Sequence, residues 1–115
     1  MSQHVVLSIG SDRTLLRVRD QVLSAAGYVV RERLPSQVNA ATDEQFDIII
    51  LCHSIPQDER RRIVHHLRSQ KHNVPILLVQ AGWDDGELAD ASVHGLDGPA
   101  ALLRCVAELL QRWAS

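Results

Sequence analysis

Lysine is almost missing from this chain: Lys71 is the only one, against eleven arginines. Any chemistry that needs a lysine must therefore use that single residue. Cysteine is nearly as scarce. Cys52 and Cys105 stand alone, too few for a disulfide framework, which points to a reducing cytoplasm as the expected location. No apolar run approaches the ~18 residues of a membrane span, and the first dozen residues lack the charged head and long apolar body of a signal peptide. Charge of one sign is absent too: the formal net charge is -2, so no global field recruits nucleic acid or an anionic membrane. Linkers, repeats and low-complexity tracts are missing. What remains is a chain of 115 residues, 45% of them hydrophobic, enough for one ordinary core in a single domain spanning 1–115.

The organising stretch runs from Phe46 to Pro56, F-D-I-I-I-L-C-H-S-I-P. The unbroken apolar run Ile48 to Leu51, rich in β-branched residues, suits a strand buried on both faces, as in a parallel sheet. In such sheets ligands and chemistry lie beyond the carboxyl ends of the strands, and Cys52 falls there.

Around it, His4 to Ile9 reads as a first strand, and Ser11 or Asp12 can cap the helix that follows. That helix has Leu15, Val18, Val22 and Ala25 at helical spacing, with Leu16, Leu23 and Ala26 beside them, and Gly27 as its stop. Tyr28 to Val30 begins a second strand, and Ser36 to Glu44 is expected to be a short helix. Gln57 to Gln70 reads as a helix with inner face Ile63, Val64 and Leu67; Val74 to Val79 is the fourth strand. A loop and short helix follow over Trp83 to Ser92, then a brief fifth strand over Val93 to Leu96. Pro99 opens a last helix striped by Leu102, Val106, Leu109 and Trp113. Strands and helices alternate five times, so the expected class is α/β, a doubly wound three-layer sandwich with a parallel sheet.

The pattern D-x-x-x-x-C-x-x-x-P from Asp47 to Pro56, the A-A-G-Y ending of the first helix, V-P-I-L-L-V and the helix-opening Pro99 together resemble the receiver domain of bacterial two-component response regulators. The resemblance implies a five-stranded, flavodoxin-like sheet in the order 2-1-3-4-5 with helices on both faces. The stretch from Gln80 to Gly98 is shorter than usual by about one helical turn, which implies a truncated fourth helix.

Residue by residue, the resemblance also implies a lost chemistry. The phosphate-accepting aspartate is Cys52; the two metal-binding acids are Gly10 and Ser11. The hydroxyl ending strand four is Gln80, the lysine before the last helix is Gly98, and the aromatic switch of strand five is Gly95. Only Asp12 remains acidic, with helix cap and metal ligand as its two readings. No metal, no cofactor and no enzymatic activity are therefore expected. Restoring Asp at 10, 11 and 52, Thr at 80 and Lys at 98 tests the converse: recovery of phosphorylation would show that the scaffold survived and only the chemistry was lost.

Other residues carry weaker signals. Cys52 is expected to be an ordinary, partly buried thiol, because His53 alternates to the opposite face of a strand and no lysine is near in sequence. A redox role for it is the alternative. A bridge to Cys105 would need distant elements within ~7 Å and is not expected. The turn Gly10 to Thr14 offers a small-residue loop before a helix, where an anion or nucleotide could bind. Arg60, Arg61, Arg62, His65, His66 and Arg68 form a basic helix face, solvated or a contact surface. Trp83 either covers the vacated pocket or anchors a partner.

The expected function is that of a pseudo-receiver, a non-enzymatic module signalling by protein contact. Its partner would be a histidine kinase, a response regulator or an output protein, or a second copy bound through the fourth helix, fifth strand and fifth helix. Trp83, Leu88, Leu96 and Leu103 are the candidate contact residues there. No nucleic acid or membrane is expected to bind.

Overall fold

Five parallel strands lie in the order β2-β1-β3-β4-β5, with the isoleucine-rich strand at the centre. They are β1 (Val5–Ile9), β2 (Val29–Arg33), β3 (Ile48–Cys52), β4 (Ile76–Gln80) and β5 (Ala91–His94). The structure is a computed structural model and describes residues 4–41, 46–69, 74–80, 90–94 and 97–114. Among these are three α-helices, α1 (Arg13–Ala25), α2 (Gln57–Ser69) and α3 (Gly98–Ala114), and a 3-10 helix over Pro35–Ala41. None is long and apolar enough to cross a membrane.

The alternation of side chains along each strand divides the core into two layers. Leu7, Ile9, Ile49, Leu51 and Leu78 point to one face and pack with Ile63, Val64 and Leu67 of α2 and Val38 of the 3-10 helix. Val6, Ile48, Ile50, Leu77, Val79 and Val93 point to the other, against Leu23 of α1 and Leu102, Val106, Leu109 and Leu110 of α3. Every residue of β3 is buried, as a strand covered on both faces requires. The expected sandwich, its parallel sheet and its strand order are all present.

Local signals hold at the helix ends. Asp12, rather than Ser11, caps α1, its carboxylate accepting from the amides of Thr14 (2.9 Å) and Leu15 (3.3 Å). Gly27, with φ 98°, ends the same helix, while Tyr28 N–H donates to the Leu23 carbonyl and Gly27 N–H to that of Ser24. That pair of bonds needs a left-handed residue, which glycine supplies without strain.

Several boundaries move. The short helix expected over Ser36 to Glu44 is a 3-10 helix that starts one residue earlier, at Pro35, and residues 42–45 lie outside the described set. Strand β4 begins at Ile76 rather than Val74, because Pro75 has no N–H for the ladder, though its carbonyl accepts from Ile49. Strand β5 begins at Ala91, two residues earlier than the apolar pattern suggested. Asp90 fixes that register: its backbone N–H donates to the Ile76 carbonyl and its carboxylate accepts from Ile76 N–H at 2.7 Å. Asp47 does the same for β1, with its carboxylate on Val5 N–H. The expected helix over Trp83 to Ser92 lies outside the described residues up to position 89, as do Gly95 and Leu96.

Two apolar stripes are also rotated. Val18 is 52% exposed and Trp113 39%, although both recur at helical spacing with core residues. In α1 the buried pair is Leu16 and Leu23, so the face on the sheet runs through positions 16, 19 or 20, and 23.

Candidate functional site

The carboxyl ends of β1 and β3 meet with almost no space between them. Gly10 follows β1, and a Cβ built on it would stand 2.9 Å from Cys52 Cβ and 3.2 Å from Leu16 Cδ2. Real Cβ atoms do not approach other carbons so closely, so the contact exists because residue 10 is glycine. Above it, Ser11 N–H donates to Ser54 Oγ at 3.0 Å, tying the loop after β1 to the loop after β3.

Cys52 ends β3 and is 1% exposed, fully rather than partly buried. Its sulfur accepts from Arg19 Nη1 at 2.8 Å and lies 3.5 Å from the backbone N–H of Ser54. Among the described residues His53 makes no hydrogen bond with Cys52. The cation instead comes from α1, 33 residues earlier in the chain. Sequence reasoning missed Arg19 because it searched near Cys52 and for lysine. The available signal was the spacing Leu16, Arg19, Leu23, which places the arginine on the sheet-facing stripe. Cys105 on α3 is half-buried and, like Cys52, a free thiol.

The remaining sequence candidates fall as follows. Asp12 spends its carboxylate on the helix cap. Gln80 closes β4, paired in register with His94. Gly98 opens α3 with φ 88°, in the left-handed region, so a lysine there would be strained. Leu103 is half-buried against the α1/α3 core layer. Trp83, Leu88, Gly95 and Leu96 lie outside the described residues. The five-position restoration is thus no neutral graft: Gly10→Asp meets Cys52 Cβ and Leu16, and Gly98→Lys puts a side chain at φ 88°, where L residues are strained although no atom lies in the way.

The fold's usual Mg²⁺ does not fit this residue set. Mg²⁺ needs near-octahedral oxygen ligands, with carboxylates among them. Gly10 and Ser11 bring none, Asp12 is committed to its cap, and the volume beside Gly10 is filled by Cys52 and Leu16. Among the described residues no three His, Cys, Asp or Glu side chains converge as metal ligands. The anion reading of the Gly10 to Thr14 turn meets a similar obstacle. The N–H groups of Ser11, Thr14 and Leu15 are already satisfied by Ser54 and Asp12.

On the basic helix face, Arg61, Arg62 and His65 are exposed, and Arg68 pairs with Asp90 at 3.2 Å. His66 departs from the expected solvated face: it is half-buried towards Val38, with a buried Nε2 that has no hydrogen-bond partner. A carboxyl pair joins α1 to β2, where a hydrogen bond between Asp20 and Glu32 lowers the pKa of Asp20 and raises that of Glu32. Arg17 lies 3.7 Å from Glu32.

No family model matches the chain and no curated protein is similar to it in sequence. Solved structures are similar in fold. The chemotaxis protein CheY4 of Vibrio cholerae has a TM-score of 0.81 at 20% identity, covering 94% of this chain and 99% of that one. A CheY-like response regulator receiver domain protein of Methanospirillum hungatei JF-1 has 0.82 at 20% identity, covering 96% of each. A putative response regulator of Chloroflexus aurantiacus J-10-fl has 0.81 at 22% identity, covering 96% and 99%. With the sheet order and both helical layers in common with these structures, the chain has the fold of CheY-like response-regulator receiver domains.

Proposed function

We propose that this chain is a pseudo-receiver: a non-enzymatic signalling module that acts by protein contact, without Mg²⁺-dependent aspartyl phosphorylation. The observation that carries the reading is the closed end of β1 and β3, where Gly10 abuts Cys52 and Arg19 occupies its sulfur. Phosphoryl transfer to a receiver needs an attacking carboxylate, a metal on the phosphoryl oxygens and fixed donors around them. Here a buried thiol stands in for the carboxylate, the acids are gone, and Gly98 brings no cation. Each lost electrostatic contact of this kind costs about 10²-fold or more in rate. Its partner would be another protein of a two-component-type pathway, a kinase, a regulator or an output protein, in the cytoplasm.

The deciding experiment is incubation of the whole chain with acetyl phosphate and Mg²⁺, followed by intact mass and peptide mapping. No phosphoryl adduct is expected. A stoichiometric, Mg²⁺-dependent adduct on any residue at the carboxyl edge of the sheet would overturn the proposal.

One observation favours a second reading. Arg19 places a cation against Cys52, an arrangement shared by reactive cysteines, so a thiol-based response stays in play. Its burial to 1% exposure weighs the other way, since oxidants and thiol reagents must reach the sulfur. Rapid modification of Cys52 by hydrogen peroxide in the folded chain, at substoichiometric loss of structure, would favour the redox reading over the first.

A further inference from the structure

We propose that the groove between α1 and α3 binds a small apolar carboxylate, of about the size of one ring, with Arg19 as its counter-charge. The inference is independent of how the chain signals and concerns a different place from the Gly10 to Thr14 turn. Leu15, Val18 and Val22 of α1, Val93 of β5 and Leu102 of α3 form apolar walls around ≈ 200 Å³ of space, and Arg19 lines the same groove. A cavity of about 150 Å³ is enough to hold benzene, so the groove has room for a ring bearing one carboxyl group. Val18, at 52% exposure, leaves one apolar wall open to solvent.

The polar contribution is unusual. Arg19 is half-buried, and among the described residues its one hydrogen-bond partner is a sulfur, Cys52 Sγ. By contrast Arg17 has Glu32 and Arg68 has Asp90. A guanidinium has five N–H donors in a planar fork suited to a carboxylate, and one contact to sulfur leaves donors over. Among the described residues no carboxylate pairs with Arg19; a half-desolvated cation so placed is costly, and an incoming carboxylate would offset that cost. The apolar walls then select what the carboxylate is attached to. Inorganic phosphate and nucleotides lack the apolar body; a neutral arene lacks the charge.

The test is an amide NMR titration of the whole chain with benzoate, with benzamide as the uncharged isostere. Benzoate should give saturable shifts clustered at Leu15, Val18, Arg19, Val22, Val93 and Leu102, and benzamide should bind at least about tenfold more weakly. Arg19→Gln should weaken benzoate by a similar factor while leaving benzamide unchanged. Val18→Asp, at an exposed position where folding is safe, should weaken benzoate by putting a like charge at the mouth. Any of these results would overturn the proposal: no saturable shift up to about 10 mM benzoate in the folded chain, equal binding of the two probes, benzoate affinity untouched by Arg19→Gln or by Val18→Asp, or shifts mapped elsewhere. A dimer that covers the groove, seen by sedimentation and abolished by Val18→Asp, would also overturn it.

Discussion

Gly10 and Cys52 lie so close that no side chain fits between them: a Cβ on Gly10 would be 2.9 Å from the Cys52 Cβ. That Cβ would also stand 3.2 Å from Leu16 Cδ2, so the end of β1 is held against both β3 and α1. The contact is with a Cβ that any residue except glycine would carry at position 52, so the packing demands glycine at position 10 and is indifferent to the thiol.

Gly10→Ala should therefore destabilise by roughly 1–3 kcal/mol, the range for overpacking a filled core. Cys52→Ala keeps the offending Cβ and should not rescue it. Cys52→Gly should, giving a favourable coupling in a double-mutant cycle by urea unfolding. Additive effects in that cycle, or a neutral Gly10→Ala, would show that the two strands separate easily.

Thiol reactivity should follow burial. In the folded chain iodoacetamide should modify Cys105, which is half-buried, well before Cys52, which is 1% exposed. Arg19→Ala removes the hydrogen bond and the bulk of a half-buried side chain next to the sulfur, so it should speed Cys52 modification. Peptide mapping of a time course checks the order; equal rates for the two cysteines in the native chain would contradict it.

Asp90 should matter more than the ion pair it belongs to. Asp90→Ala leaves the first amide of β4 unsatisfied where it now has a 2.7 Å bond, a cost of about 1–3 kcal/mol. Arg68→Ala breaks only a solvent-exposed pair at 3.2 Å and should cost less than about 1 kcal/mol. Thermal or urea unfolding that ranks the two the other way would refute the assignment.

The carboxyl pair of α1 and β2 gives a pH dependence of definite sign. Hydrogen bonding with Glu32 lowers the Asp20 pKa, so the Asp20 contribution is present above its unfolded pKa and fades as pH falls through the folded one. The Glu32 pKa is raised, chiefly by the same bond, so its contribution is present below its unfolded pKa and fades as pH rises through the folded one. The pair is thus at its best in the mildly acidic carboxylate range, where the two share a proton. Glu32→Gln should gain stability relative to the parent as pH rises towards neutral, and Asp20→Asn should lose it as pH rises from strong acid. Parallel stability–pH curves for parent and variants would remove the pair from the account.

Much of the architecture was legible in the chain itself. The run Ile48 to Leu51 is apolar at every position because its strand is covered twice, and Asp12 and Gly27 bound the first helix by rules that act within a few residues. The matching of Gly10, Ser11, Cys52, Gln80 and Gly98 to receiver positions rests on the resemblance alone and belongs to the proposed function. Boundaries were less legible. Asp90 sets where β5 begins through a bond to Ile76, 14 residues away, and no local periodicity carries that information.

What the sequence determined by itself was the alternation of elements and the doubly buried central strand. Those follow from side-chain chemistry and short-range periodicity, which survive in any reading of the chain. Only the tertiary structure decided that Gly10 packs on Cys52, that Val18 faces out, and that Arg19 reaches a sulfur 33 residues away. The physical reason is rotational. An amphipathic pattern limits a helix to a broad apolar face, and the strands beneath it choose which part of that face turns inward. In α1 they chose the line through Leu16 and Leu23, and Arg19 came with it.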